Sequence, residues 1–468
     1  MHIEQIYTGC LSQGAYLIVS EGEAAIVDPL RESQPYLDLV GKHQAKIKYI
    51  FETHFHADFV SGHVDLAHAS GAEIVFGPSA ETSYRATIAK DGQFFNVGKI
   101  KIKVLHTPGH TPESACFLVL DEKENPYCLF SGDTLFIGDV GRPDLAIKTD
   151  ISEKDLAGML YDSLRNKIMS LPDDLIIYPA HGAGSACGKN ISKETYDTLG
   201  SQKQSNYALR DISREEFVQE LTTGILPPPR YFQDNATLNK LGYPSFDHTM
   251  EKGMKKMSAM EVDQHRMDRT ALILDVRKAS DYAAGHIEGS WFIGLDGPFA
   301  PWAGSLIPSL HQPIVLVAEV GRESEAVMRL ARVGFDHCVG YLENGIKGWT
   351  GGGRKLNTTQ SIDAASFSKI YQNGDGNFID VRKPGEYTAK HLEGIASLPL
   401  DFISGWKGTL EKDKKYFLHC GGGYRSMIAI SILNADGKMN LVDIAGGFSA
   451  ITKSEIPANC YNVTCTQA

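Results

Sequence analysis

Side chains able to bind a metal or move a proton recur in this sequence just after strand-like runs. The densest group is Thr53-His54-Phe55-His56-Ala57-Asp58-Phe59, which directly follows the apolar stretch 47–52. Alternate residues of an extended segment face one side, so His54, His56 and Asp58 converge if the chain stays extended past the strand end. Three further stretches repeat the pattern of strand followed by polar side chain: 104–111 with His110, 129–134 with Asp133, and 176–182 with His181. A single histidine is more often a satisfied core or surface side chain than a ligand. Four such clusters beside Gly or Pro turns instead predict one metal site of imidazoles and carboxylates.

A second chemistry lies near the end of the chain, at Leu418-His419-Cys420-Gly421-Gly422-Gly423-Tyr424-Arg425-Ser426. Three glycines let the backbone fold into a tight cradle. Its N–H groups, the start of the helix that follows and Arg425 all favour a sulfur anion on Cys420, the reactive form of a thiol. The other seven cysteines, residues 10, 116, 128, 187, 338, 460 and 465, are scattered with no C-x-x-C pair. A disulfide framework is not expected in a chain this long, and most should be small buried apolar groups. Cys187 stands apart, because Gly182-Ala183-Gly184-Ser185-Ala186-Cys187-Gly188-Lys189 follows the last ligand cluster. It reads either as a redox or sulfur-relay thiol or as a plain buried cysteine.

The elements that must position these groups are legible in outline. Residues 15–19 and 24–28 read as paired strands across the Glu21-Gly22 turn, 33–43 as a helix with Ser33 at its N-cap, 47–52 as a buried strand and 62–70 as a helix. Strands follow at 101–106, 115–121 and 127–131. The longest amphipathic helix spans 153–170, with Leu156, Leu160, Leu164 and Ile168 every four residues. This order predicts helix layers on both sides of two stacked sheets, with chemistry on the loops after the strands. Residues 225–246 carry Pro227-Pro228-Pro229, Asp234-Asn235 and Gly242-Tyr243-Pro244, and read as a linker or wrapping arm, not as a core element.

An internal repeat comes next. The stretch 275–289, DVRKASDYAAGHIEG, matches 380–394, DVRKPGEYTAKHLEG, at nine of fifteen positions and a constant offset of 105. Each copy continues into an apolar strand, a short loop and a helix, at 314–317 into 323–333 and at 416–419 into 426–433. Two tandem α/β domains follow. With the first region this predicts domains at 1–246, 247–358 and 359–468.

Composition bounds the function. A length of 468 residues suggests about three domains. With 42% hydrophobic and 22% charged residues, ordinary globular cores are expected. A formal net charge of -11 without a long basic run argues against nucleic acid or anionic membranes as main partners. No apolar stretch approaches the roughly 18 residues of a spanning helix, the start lacks the pattern of a signal peptide, and a cytoplasmic location is expected.

The ligand pattern of the first region resembles the metallo-β-lactamase superfamily in His54-x-His56-x-Asp58, Thr107-Pro108-Gly109-His110-Thr111, Gly132-Asp133-Thr134 and Ala180-His181-Gly182. The resemblance implies an αββα sandwich. In two-metal hydrolases of that superfamily a His follows the motif's Asp and binds the second metal; here that position is Phe59, whose ring cannot coordinate. Gly132-Asp133-Thr134-Leu135-Phe136-Ile137-Gly138-Asp139-Val140-Gly141-Arg142-Pro143-Asp144 is similar to persulfide dioxygenases. That likeness implies one ferrous iron per chain on His54, His110 and Asp133, with His56, Asp58 and His181 nearby as hydrogen-bonding groups or a vestigial second site. Two imidazoles and a carboxylate leave open positions, as non-haem iron oxygenases need, and neighbouring groups set the orientation of the ligating rings. The same motif implies Arg142 near the site entrance, steering an anionic thiol substrate; a structural ion pair with Asp139 or Asp144 is the alternative.

The repeated domains resemble rhodaneses over most of residues 259–468. That implies Cys420 as sulfur carrier, assisted by Arg425. In the first copy, aligning Ser324 with Ser426 puts Ala318 at the Cys420 position, with Glu319 and Glu323 nearby, so this copy is expected to be catalytically silent and to serve spacing or self-association. Cys338 is no substitute by spacing.

Together these resemblances imply a fusion in which a small thiol persulfide and dioxygen yield sulfite and thiol, and Cys420 moves sulfur to sulfite as thiosulfate, as in sulfide detoxification. A homo-oligomer is expected. One rival is a dinuclear zinc thioester hydrolase of the glyoxalase II kind on the same scaffold. Another is a persulfide sensor without turnover. The thiol carrier, the direction of sulfur transfer and the purpose of the silent copy are left open by the residues.

Overall fold

The computed structural model describes residues 1–146, 151–374, 376–437, 439–457 and 460–463. Cys465 lies outside them. The chain divides into two compact units, Met1–His248 with Leu330–Asp336, and Thr249–Arg329 with His337–Ala468. No helix among the described residues is long and apolar enough to cross a membrane.

The first unit carries two six-stranded sheets. One holds β1 (His2–Thr8), β2 (Gln13–Ser20), β3 (Glu23–Val27), β4 (Lys46–Glu52), β5 (Glu73–Phe76) and β6 (Thr87–Ile88), in that order. The other holds β7 (Phe94–Val97), β8 (Ile100–His106), β9 (Ala115–Leu120), β10 (Pro126–Gly132), β11 (Ile176–Pro179) and β12 (Asp197–Thr198), in the order 12-11-10-9-8-7. The period of two explains how they stack. On β2, Tyr16 and Ile18 join Phe51, Phe95, Phe117 and Phe130 between the sheets. The alternate residues Ala15 and Leu17 face the other way, against Tyr36, Val40 and Leu66. Those last three lie on the helices Gln34–Lys42 and His63–Ser70.

Behind the second sheet, Leu156, Leu160, Leu164 and Ile168 are fully buried against Leu118, Leu129 and Phe217. Burying each such side chain is worth about 1.5–3 kcal/mol. Their element is α-helical from Glu153 to Ser163 and continues as a π-helical turn, Leu164–Ile168. Ser152 and Asp155 form a capping box at its start. The result is helix, sheet, sheet, helix, as the sequence predicts.

The segment 225–246, expected to be a linker or wrapping arm and not a core element, has regular structure of its own. It contains the helix Phe232–Leu241, in which Phe232, Asn235 and Asn239 are buried. The Pro and Gly residues that suggested a loop lie outside both ends, where they delimit a helix instead of preventing one. Composition registers such punctuation but not what it encloses.

The second unit carries two five-stranded sheets of the same topology. One is built from β13 (Lys256–Met257), β14 (Leu272–Asp275), β15 (Trp291–Phe292), β16 (Ile314–Val317) and β17 (Cys338–Leu342), ordered 13-17-16-14-15. The other uses β18 (Gln360–Ile362), β19 (Asn377–Asp380), β21 (Ala396–Ser397), β22 (Lys415–His419) and β23 (Asn440–Ile444), ordered 18-23-22-19-21. All pairings in both are parallel. A small antiparallel pair, β20 (Lys390–Leu392) with β24 (Tyr461–Val463), stands beside the second.

The repeated sequence motif is a structural cassette. Asp275 is bound through both carboxylate oxygens by Arg277, whose Nη2 also reaches the Gly285 carbonyl at 2.7 Å. Arg382 does the same with Asp380 and the Lys390 carbonyl. The Tyr282 ring stacks on His286 at 4.0 Å, and Tyr387 on His391 at 3.8 Å. The nine identities thus keep a buried ion pair satisfied and a turn closed, whereas the hydrogen bonds to the Cys420 sulfur among the described residues come from Gly423 and Ser426.

Candidate metal centre and thiol site

His54, His110 and Asp133 each follow a strand end, β4, β8 and β10 respectively, and all three are buried. One ligand atom from each lies within 4.8 Å of the others. Nε2 of His54 is 3.8 Å and Nε2 of His110 is 3.3 Å from Oδ2 of Asp133. Strand ends can approach this closely because Gly132 takes φ +54, and a Cβ there would sit 2.7 Å from the Thr53 side chain.

The neighbouring groups fix which nitrogen of each ring is free. Thr53 Oγ1 donates to Asp28 Oδ2 at 2.9 Å, so it accepts from Nδ1 of His54, also 2.9 Å away. Nδ1 of His110 lies 2.8 Å from the Arg142 carbonyl, which can only accept. Both rings therefore carry their proton on Nδ1 and turn the Nε2 lone pair toward Asp133. Burial, with His56 close by, pushes His54 well below its ordinary value and keeps it neutral. His54 Nε2 and Asp133 Oδ2 are buried without a hydrogen-bond partner. Two imidazole lone pairs and one unpaired carboxylate oxygen, all inward, fit a divalent metal ion.

The other residues of the motif surround this cluster. His181 places Nδ1 2.8 Å from Asp133 Oδ1 and Nε2 2.9 Å from Asp58 Oδ2. Burial alone would lower its pKa, but Asp133 and Asp58 overcome that and hold it well above the ordinary value. His56 points elsewhere: its Nε2 is 3.1 Å from Asp28 Oδ1 and 3.7 Å from Glu52 Oε2. Asp28 thereby links His56 to Thr53 and, through it, to His54. The Phe59 ring, fully buried, lies 4.3 Å from the His56 ring and 6.5 Å from that of His181.

At two residues the structure takes one of the alternatives that the sequence left open. Arg142 takes the ion-pair alternative, with Asp144. It is 8% exposed; Nε and Nη2 bind Asp144 at 2.6 and 2.7 Å, Nη1 donates to the Ala186 carbonyl and Nη2 also to that of Leu226. Four of its five donors are spent on the chain, and its own carbonyl orients His110. The spacing of Arg142 and Asp144 allowed this ion pair but could not decide it. Cys187 is buried beside Asp58 and His181. Burial, reinforced by Asp58 and Asp133, pushes its thiol well up, so it stays protonated.

Sequence reasoning missed Asn239. From the helix Phe232–Leu241 its Nδ2 donates to the carbonyls of His56 and Phe59 at 2.7 and 2.8 Å, and its Oδ1 accepts from Ser61 N at 2.9 Å. One amide thus satisfies three backbone groups of the ligand loop. Nothing local in the sequence announces a partner 180 residues away.

In the second unit Cys420 directly follows β22 and is 1% exposed. Gly423, at φ +100, donates its N–H to Cys420 Sγ at 3.1 Å, and Ser426 Oγ lies 3.7 Å from that sulfur. The helix Tyr424–Ala435 starts immediately after. Arg425 forms a two-pronged ion pair with Glu386 at 2.5 and 2.8 Å.

The first repeat keeps the cradle and fills it differently. Ala318, directly after β16, is 2% exposed. Gly321, at φ +94, occupies the position of Gly423, but its N–H donates to the Glu323 carboxylate at 2.8 Å. A carboxylate of the loop itself takes the donor that faces sulfur in the other copy.

An αββα sandwich with a buried His-His-Asp cluster at its strand ends, joined to tandem parallel-sheet domains with one cysteine cradle, defines the class. Residues 8–181 match the metallo-beta-lactamase superfamily, and residues 258–351 and 363–454 match the rhodanese-like domain. The chain belongs to the metallo-beta-lactamase superfamily, and two rhodanese-like domains follow that domain. A solved metallo-beta-lactamase from Staphylococcus aureus subsp. aureus COL is 33% identical with a TM-score of 0.64, over 73% of this chain and 98% of that one. A hydroxyacylglutathione hydrolase of Francisella tularensis subsp. novicida (strain U112) is 34% identical over 167 residues, 36% of this chain. The chain spans 61% of that hydrolase's length. The probable hydroxyacylglutathione hydrolase glo2 of Schizosaccharomyces pombe is 31% identical over 188 residues, 38% of this chain and 68% of that protein.

Proposed function

We propose that the protein is a ferrous persulfide dioxygenase coupled to a sulfurtransferase. The observation that carries this reading is the convergence of His54, His110 and Asp133 with Phe59, not a ligand, in the position where two-metal hydrolases hold one. A single iron on these three residues would supply open coordination positions for dioxygen and sulfur chemistry. The chain's own residues do the rest. Thr53 and the Arg142 carbonyl hold the two ligand rings in one tautomer, and His181 fixes the second oxygen of Asp133. Overall, persulfide, dioxygen and water give thiol, sulfite and two protons.

At the second site the Cys420 thiolate attacks the outer sulfur of another persulfide and releases the small thiol. The Cys420 persulfide then transfers that sulfur to sulfite, and thiosulfate leaves with the thiolate restored. The N–H of Gly423 lies where it steadies negative charge on Cys420 Sγ.

The hydroxyacylglutathione hydrolases among the relatives favour a second reading, a dinuclear zinc thioester hydrolase. One experiment separates the two. Protein purified anaerobically should hold about one iron per chain and consume oxygen with a small persulfide; two zinc ions and thioester hydrolysis without oxygen uptake would sink the dioxygenase. Cys420→Ala should keep oxygen consumption and lose thiosulfate, whereas loss of both would show that the two sites are not separate.

A further inference from the structure

The silent repeat has Ala318 where the active one has Cys420, yet it touches the active loop at its most sensitive point. Tyr424 is the first residue of the helix that follows Gly423. Its hydroxyl donates to the Gly294 carbonyl of the silent repeat at 2.7 Å. Its ring meets Phe292 at 5.8 Å and 69°, and Gly297 has no space for a side chain, since a Cβ there would come 2.5 Å from the Tyr424 ring. Seven residues along the same helix, Ser431 Oγ accepts from Phe292 N at 2.9 Å. These two residues share one helix face.

The receiving segment is itself fixed. From the silent helix Glu323–Ala331, Arg329 donates to the carbonyls of Leu295 and Gly297. Arg322 pairs with Asp296 at 2.8 Å. The segment 294–297 is therefore held by two arginines on one side and presents the Gly294 carbonyl to Tyr424 on the other. Arg322 occupies the place in the silent loop that Tyr424 occupies in the active one, so both loops end on this segment.

Resting on the sulfur-carrier reading of Cys420, we infer that the silent repeat is a positioning device for the active loop, and that Tyr424 is the residue through which it acts. The Gly423 N–H meets Cys420 Sγ at 3.1 Å only while the next residue holds the helix start in place. A hydrogen bond to sulfur falls away steeply with misalignment, so a small rotation of Tyr424 removes the donor that steadies the thiolate. Ser431 anchors the same helix two turns further on, where movement leaves the sulfur unaffected.

The test uses the full chain with Tyr424→Phe and Ser431→Ala. Cys420 alkylation by iodoacetamide is followed by peptide mass across pH, alongside sulfur loading from a small persulfide and thermal melting. Tyr424→Phe should raise the midpoint of the alkylation profile by about half a pH unit, a roughly threefold loss of thiolate below it. Loading should slow to a similar degree at unchanged persulfide KM. Ser431→Ala should lower the melting temperature at least as much and leave the alkylation midpoint where it is in the parent protein. Equal shifts in both variants, or a shift in neither, overturn the proposal. Failure of the parent Cys420 to load sulfur would instead overturn the sulfurtransferase reading, and the alkylation profiles still decide the role of Tyr424.

Discussion

Nδ1 of His181 lies 2.8 Å from Oδ1 of Asp133, while Oδ2 of the same carboxylate faces His54 and His110. One aspartate therefore joins the candidate metal cluster to the residues that would otherwise form a second site. Its two oxygens have separate tasks. One is fixed by a buried imidazole that also reaches Asp58, and the other is left unpaired toward the rings of His54 and His110.

His110→Ala should remove the metal. It deletes one of three donors, and losing even a supporting group around a metal typically costs 10–100-fold in affinity, so a loss above about 100-fold is expected. Metal content after gel filtration measures this. Retention of the parent's metal would show that His110 is not a ligand.

Phe59→His should recreate a ligand where the buried ring now packs on His56. Without added metal the variant should be destabilised by about 1–3 kcal/mol, the cost of a buried unpaired polar group. Zinc should restore that stability and raise the metal content toward two per chain. Unchanged metal content in saturating zinc would count against Phe59 as the barrier to a second ion.

Asn239→Ala should cost about 3 kcal/mol, because the carbonyls of His56 and Phe59 and the N–H of Ser61 lose their partners together. Metal affinity should fall with it, since the loop carrying His54 to Asp58 loosens. Urea unfolding and metal titration read the two effects. Full stability with weakened metal binding would place the role of Asn239 at the loop alone.

Acid should weaken the Arg425–Glu386 pair. The bond from Arg425 holds Glu386 below its ordinary value of 4.5, against the opposing effect of burial. A lowered folded-state value means the contribution is complete above 4.5 and disappears as pH falls through the folded value. The pair is partly exposed, so its screened worth is about 1 kcal/mol or less. The stability difference between the parent and Glu386→Gln, followed by urea unfolding, should be constant at neutral pH and shrink in acid. A difference that grows as pH falls would reverse the assigned sign.

Much of this protein was legible in the chain because its signals are local. Period-two apolar runs give the strands, the four-residue spacing of Leu156 to Ile168 gives a buried helix face, and a repeat at constant offset gives two copies of one domain. His54, His110, Asp133 and Cys420 stood out because each is a reactive side chain set between a strand and a turn.

Only the tertiary structure decided what those side chains meet. It turned Arg142 inward to Asp144, set Asn239 against the ligand loop and directed His56 to Asp28. It also gave the Gly321 N–H to Glu323 where Gly423 gives its own to sulfur. The reason is physical. Spacing along a strand or helix dictates which face a side chain takes, but a buried polar group is satisfied by whatever the fold brings alongside it, and for Asn239 that partner lies 183 residues away.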